Sequence, residues 1–250
     1  MVTTDMTTVI DLDSNATTRP LPRVCEQVER AMREVWGNPS SDGPLGRQAR
    51  NMVEDARGAV AALIDAEPER IIFTSGATEA INLAIMGTLL ESSGKRPHVV
   101  VTATEHAAVM HTLEHLEHIN RADITVVQPD RYGIVSAEMI EAALQADTRL
   151  ICVIHGNNEI GSLNPVDQIA RLAHRRGIAM LVDASQSLGY LPLSVRDVPI
   201  DLLVISGHKM HGPKGIGALF VRDGTRLSPR AFGGGQEHGL RPIRQRCLPQ

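Results

Sequence analysis

The sequence predicts an α/β protein with a mostly parallel sheet covered by helices on both faces. From about residue 70 onward, short β-rich runs alternate with segments of helical period. The runs are near-continuously apolar, as strands buried on both faces must be, and the helices between them supply the crossovers that parallel neighbours need. Each run ends in polar residues or glycine, and in an open α/β sheet ligands bind at the carboxyl ends of the strands.

Taken in order, the first 65 residues stand apart. The extended VIDLD is followed by two helical stretches, PRVCEQVERAMREV and LGRQARNMVEDARGAVAALI, separated by the turn-rich WGNPSSDGP. The strands then read RIIFTSG, HVVVTAT, DITVVQ, RLICVIHG, IAMLVDAS, DLLVISG and GIGALFV. Between most of them lie ATEAINLAIMGTLLE, HAAVMHTLEHLEHIN, SAEMIEAALQA and PVDQIARLAHRR. Ser136 offers an N-cap to the third of these helices, and Pro165 suits a first-turn position in the fourth. The expected division is an N-terminal arm and helices over 1–65, a large domain over 66–235 and a divergent tail over 236–250.

Composition narrows the function. Of 250 residues, 25 are basic and 29 acidic, giving a net charge of −4 without a basic block. One Trp, two Tyr and three Phe leave no stacking platform, so a nucleic-acid binder is not expected. No apolar run reaches the length of a membrane span, and MVTTDMTTVID has neither a basic nor an apolar leader region. Three dispersed cysteines, Cys25, Cys152 and Cys247, argue against a disulfide framework and for a cytoplasmic protein.

Chemistry concentrates at five strand ends: Ser75 and Gly76, Glu105 and His106, Asn157 and Asn158, Asp183 and Gln186, and Ser206 with His208 and Lys209. In TSGATEA, the helix beginning near Ala77 offers free amides and the positive end of its dipole to an anion, with Ser75 and Thr78 adding hydroxyls; a plain capped turn reads equally well. In LVDASQS, Asp183 is either a turn cap or the partner of a protonated ring nitrogen. SGHKMHGPKG supplies an amine: Lys209 follows its strand directly and is rooted by the sheet, whereas Lys214 sits in a Gly-Pro-Lys-Gly turn typical of solvated lysines. His106 opens a helix, as a cap or as a flat ring over a flat cofactor. Anion cradle, carboxylate, amine and ring are together what pyridoxal 5'-phosphate (PLP) requires.

With LDSNATT, GNPSS, TSGATEAINLAI, EHAAV, NNEIGSLNPV, VDASQSLG, SGHKMHGPKGIGALFV and GGGQEHGLR, the chain resembles the cysteine desulfurases of the class V aminotransferase group, which are fold-type I PLP enzymes. The resemblance implies a three-layer αβα large domain with a mostly parallel mixed sheet. It also implies roles. Lys209 looks like the lysine that holds PLP covalently, Asp183 like the partner of the pyridine nitrogen, and His106 like the ring stacked on the cofactor that also moves protons. Ala77, Thr78, Ser206 and His208 match positions around the phosphate. Gln186 and Asn158 match polar residues near the phenolic oxygen and the substrate carboxylate, and Asn15, Ala16 and Thr17 match a segment folding back over the site. No metal is implied. The implied reaction takes L-cysteine to L-alanine in a homodimer: Lys209 or His106 removes the α-proton, and a loop cysteine takes the sulfur as a persulfide for an acceptor such as an iron–sulfur scaffold.

After Arg241 the pattern breaks. RPIRQRCLPQ replaces the expected Gly-Thr segment, so the expectation is a C-terminally truncated member lacking the small domain, the cysteine loop and the carboxylate-anchoring arginine, with an end resembling a frameshift or a mis-called terminus. Arg244 and Arg246 would favour a thiolate at Cys247, but that residue falls far short of the family's loop. An exposed apolar patch and poor solubility follow as expectations. Three rivals stay open: a selenocysteine lyase or aminotransferase-like class V enzyme, a non-catalytic PLP-binding remnant, and a metal module on the helix carrying His111, His115 and His118, whose plainer reading is a solvated face.

Overall fold

The structure is a computed structural model describing residues 10–90 and 96–241. Two helices, α1 (Pro22–Glu34) and α2 (Pro44–Ala62), precede the sheet, each starting with a proline in its first turn, where the missing N–H costs nothing. Then follow β1 (Ile71–Thr74), α3 (Ala77–Leu89), β2 (His98–Thr102), α4 (Ala107–His118), β3 (Asp123–Val127), α5 (Ala137–Ala143) and β4 (Thr148–Ile154). After α6 (Val166–Arg176) come β5 (Ala179–Asp183), β6 (Leu202–Ser206) and β7 (Gly217–Val221). All seven apolar runs form strands, and the helical segments form helices.

The seven strands make one sheet in the order β1-β7-β6-β5-β4-β2-β3. Neighbours from β6 to β3 are parallel, while β7 runs antiparallel to both β6 and β1, so the sheet is mixed. Alternation along each strand divides the core in two. Leu150 and Cys152 of β4 face α3 and α4 with Ile81, Ile85 and Leu113. Ile151 and Val153 face the opposite layer, where α2, α5 and α6 contribute Val60, Ile140 and Ile169. This is the three-layer αβα arrangement, and α1 stands outside it with only Ala31 buried.

Helix ends follow local chemistry. The Ser136 hydroxyl accepts from the Met139 amide and caps α5 as expected. Pro165 sits one position earlier than expected, at the cap of α6 itself, where its ring fixes φ at −77°. Gly177 closes α6 in the left-handed region at φ 65°, a conformation a side chain would strain.

Candidate active site

The polar strand ends converge. A cavity of about 790 Å³ opens at the carboxyl edge of the sheet, and Ala77, Thr78, His106, Asn158, Asp183, Gln186, Ser206, His208 and Lys209 all line it. Every site residue expected from the sequence is thus brought to one space.

The turn between β1 and α3 forms one wall. Gly76 adopts φ 153°, a region open to glycine, and leads into the free amides at the head of α3. It lies so close to β7 that a Cβ on Gly217 would meet the Gly76 Cα at 2.7 Å, so the turn can rest on the strand only over a glycine at 217. Opposite it, Ser206 ends β6, and its buried hydroxyl has no hydrogen-bond partner among the described residues. The Ser185 hydroxyl, also lining the cavity, shares that condition. Native structures seldom orphan such groups, which are accounted for when a ligand supplies the partner.

Lys209 closes a 3₁₀ turn, Gly207–Lys209, directly after β6. Burial pushes its amine below the ordinary lysine range, against the opposing pull of Asp183 and Asp13. The Nζ donates to the Asn15 carbonyl. Lys214 borders the same cavity but is exposed. Burial also lowers the basicity of His208, and the charges of Lys209 and Lys214 add to the effect.

The N-terminal arm is pinned across this loop. The Thr18 hydroxyl donates to the His208 carbonyl at 2.9 Å and accepts from the His211 amide at 2.7 Å. Thr17 Oγ1 meets His208 Nδ1 at 3.1 Å, and Gln186 Nε2 donates to Asn15 Oδ1 at 3.1 Å. Asn15, Ala16 and Thr17 therefore border the cavity.

Asp183 is the last residue of β5 and 3% exposed, with Oδ1 accepting from the Ser185 amide at 2.9 Å. It therefore caps the turn, as one reading expected, and it lines the cavity. The same is true of His106: Nδ1 accepts from the Ala108 amide at 3.0 Å and caps α4, which places the proton of the neutral ring on Nε2.

Two residues at these strand ends serve the scaffold instead. Asn157 donates to the Thr104 carbonyl and accepts from the Glu159 and Ile160 amides, shaping the turn that presents Asn158. Glu105 buries its carboxyl between β2 and β4, although its stem is partly exposed. Burial, with the Asp183 charge adding to it, pushes this carboxyl up to about 8 despite hydrogen bonds from Thr102 and Ile154.

Sequence reasoning missed Glu79, which also lines the cavity. Its signal was present as the acidic residue in the first turn of TSGATEA. The histidines of α4, His111, His115 and His118, lie on its exposed face. Among the described residues no group of three or more His, Cys, Asp or Glu is arranged to hold a metal ion, and no helix is long and apolar enough to cross a membrane. Cys247 lies outside the described residues.

Comparison with known proteins bears on this arrangement. The family model described as Aminotransferase class-V matches residues 10–246. The chain is 45% identical over 237 residues to the cysteine desulfurase IscS of Shewanella sp. (strain MR-4), covering 93% of this chain and 58% of that protein. It is 40% identical over 230 residues to the cysteine desulfurase IscS of Dictyoglomus turgidum (strain DSM 6724 / Z-1310), covering 92% of this chain and again 58% of the relative. The chain thus spans less than two thirds of the length of these relatives. Among solved structures, SspA in complex with cysteine superposes with a TM-score of 0.92 at 37% identity, over 94% of this chain and 68% of that one. DndA from Streptomyces lividans gives 0.84 at 38% identity, over 97% and 69%. Enzymes of this kind are PLP-dependent. A family match over nearly the full chain, a shared fold and a cavity assembled from the matching strand ends lead to one statement: this chain belongs to the class-V aminotransferase family.

Proposed function

We propose that this chain is the PLP-binding part of a cysteine desulfurase, acting on L-cysteine to give L-alanine and handing the sulfur on as a persulfide. The observation that carries the reading is the Lys209 amine, held below its ordinary basicity in one cavity with Asp183, His106 and the head of α3. The desulfurase relatives and the cysteine-bound SspA structure support the substrate.

The residues fit the cofactor. The amides of Ala77 and Thr78, with the orphaned Ser206 hydroxyl and His208, would hold its phosphate, and Asp183 would face its ring nitrogen. When bound, PLP supplies an electron sink for charge developing at the substrate α-carbon. Lys209 would anchor the cofactor covalently and, once the substrate amine has displaced it, would be free as a base for the α-proton, since an amine of reduced basicity is unprotonated more often at neutral pH. His106 offers Nε2 as a second proton carrier from a ring fixed by its capping bond. Gln186 and Asn158 are assigned to the phenolic oxygen and the substrate carboxylate. The large domain over 66–235, a homodimer, a cytoplasmic location and an iron–sulfur scaffold or similar sulfur acceptor complete the proposal.

Adding PLP to the apo protein should give a yellow species that borohydride traps on Lys209, with alanine formed from cysteine in preference to other amino acids and, when excess dithiothreitol reduces the persulfide, an equal amount of sulfide. A colourless protein with no adduct would remove the proposal. A second reading, cofactor binding without turnover, is favoured by one observation. Neither described cysteine lines the cavity: Cys25 is exposed on α1, and burial raises the Cys152 thiol well above its usual range. Yellow protein without sulfide release would select it.

A further inference from the structure

The short segment 237–241 grips the β1–α3 turn from both sides. Before the turn, the Glu237 carboxylate takes two hydrogen bonds from the Arg57 guanidinium, at 2.9 and 2.7 Å, and one from the Phe73 amide at 2.7 Å. After the turn, Arg241 donates from Nε to Glu79 Oε1 at 2.5 Å and from Nη2 to Oε2 at 3.0 Å. Glu79 in turn accepts from the Ser75 amide at 2.6 Å.

The position of Glu79 creates a conflict. It is the third residue of α3, and it lines the same cavity as Ala77, Thr78 and Ser206. A carboxylate there orders the turn and suits the helix dipole, yet it sets a negative charge where an anion is expected to bind. Burial alone would raise Glu79, but the hydrogen bonds from Arg241 and Ser75 outweigh it and keep the carboxyl below its ordinary range, hence ionised at neutral pH. Arg241, 8% exposed, supplies the compensating charge through its two bonds to the carboxylate.

We propose that Arg241 is a positioning residue that neutralises Glu79, allowing that carboxylate to fix the Ser75 amide at the head of α3 without repelling a phosphate bound there. The inference rests on the PLP reading and adds to it a selectivity for the phosphorylated cofactor. It concerns the phosphate alone. The unphosphorylated aldehyde, pyridoxal, carries nothing for the pair to act on.

The test is absorbance titration of the apo protein with PLP and, separately, with pyridoxal. Arg241→Met should weaken PLP about tenfold or more, the scale of one uncompensated like charge near the site, and leave pyridoxal within about twofold. Adding Glu79→Gln to Arg241→Met should restore PLP to within about threefold of the parent, because the amide still accepts from Ser75 but carries no charge. Glu79→Gln alone, whose single carbonyl oxygen can still accept from Arg241 Nη2 and the Ser75 amide, should bind PLP at least as tightly as the parent and guards against a misfolded Arg241→Met. Equal losses for PLP and pyridoxal, no rescue in the double variant, or weaker PLP binding by Glu79→Gln would each overturn the proposal. Failure of the parent chain to take up PLP at all would instead overturn the cofactor reading, and with it the phosphate this pair serves.

Discussion

The Glu105 carboxyl oxygen Oε1 accepts from the Ile154 amide at 2.5 Å, joining the residues just after β2 to the last residue of β4. It also accepts from the Thr102 hydroxyl, while the buried Oε2 meets no partner among the described residues. An acid so enclosed is held neutral.

That neutrality gives the protein a pH-dependent stability. Burial, helped by the charge of Asp183, raises Glu105 from 4.5 to about 8, so between these values the folded chain keeps a proton that the unfolded chain releases. The contribution is fully present below the lower value and is lost as pH rises through the upper one. Across that window, stability falls by up to about 1.4 kcal/mol per pH unit from this group. Glu105→Gln keeps an acceptor for Ile154 and removes the titration. Urea denaturation at several pH values should show the variant gaining on the parent as pH rises. Parallel pH profiles would show that Glu105 is ionised in the folded chain.

Lys209 should be the first described lysine to react as pH is raised. Burial lowers its basicity, whereas Lys214 is exposed. A limiting amount of an amine-directed acylating reagent near neutral pH should label Lys209 ahead of Lys214, read by peptide mass spectrometry. Lys209→Ala should abolish the borohydride-trapped adduct, and Lys214→Ala should leave it in place. An adduct on Lys214 in the parent protein would reverse the assignment.

Arg57 and Glu237 form a buried pair, with exposures of 6% and 8%, and the guanidinium lies 4.8 Å from the centroid of the Phe73 ring. Removing one partner leaves the other charged and enclosed. Arg57→Met should therefore destabilise by roughly 3–5 kcal/mol in urea denaturation. Glu237→Gln, which keeps an acceptor for Phe73, should cost less.

One face of α1 is largely apolar and partly exposed, with Glu29 and Arg33 at its border. Val24, Val28 and Met32 line a shallow groove with Pro20 and Pro213, and Met32 and Trp36 are 67% and 69% exposed. Such a face drives association in water. Sedimentation of the chain should show mass rising with concentration, and Met32→Glu should reduce that rise. A monodisperse chain insensitive to Met32→Glu would show the face to be inert.

What could be read in the sequence was what periodicity and strand-end chemistry record. RLICVIHG and DLLVISG are buried on both faces, and their apolar runs announced it. Lys209 was separable from Lys214 because one follows a strand and the other a Gly-Pro turn. NNEIG marked a site, but its two asparagines divide the work, and nothing local reveals that Asn157 shapes the turn while Asn158 borders the cavity. The pairs Arg57–Glu237 and Arg241–Glu79 span 180 and 162 positions. Contacts so distant leave no periodic trace and become visible only once the chain is folded.

Ser206 and Gly217 are paired neighbours in the antiparallel ladder of β6 and β7. The lysine-bearing connection therefore leaves the sheet and returns to it at one point, a noose whose knot is the ladder itself. Inside the knot the Gly207 amide donates to the Ile216 carbonyl at 3.2 Å, and the Gly212 amide donates to the Gly207 carbonyl at 2.9 Å. The far side of the noose, around Gly215, is therefore drawn tight, and a residue inserted there would pull on the root of Lys209. The amine's address is written in the knot and in the rope alike.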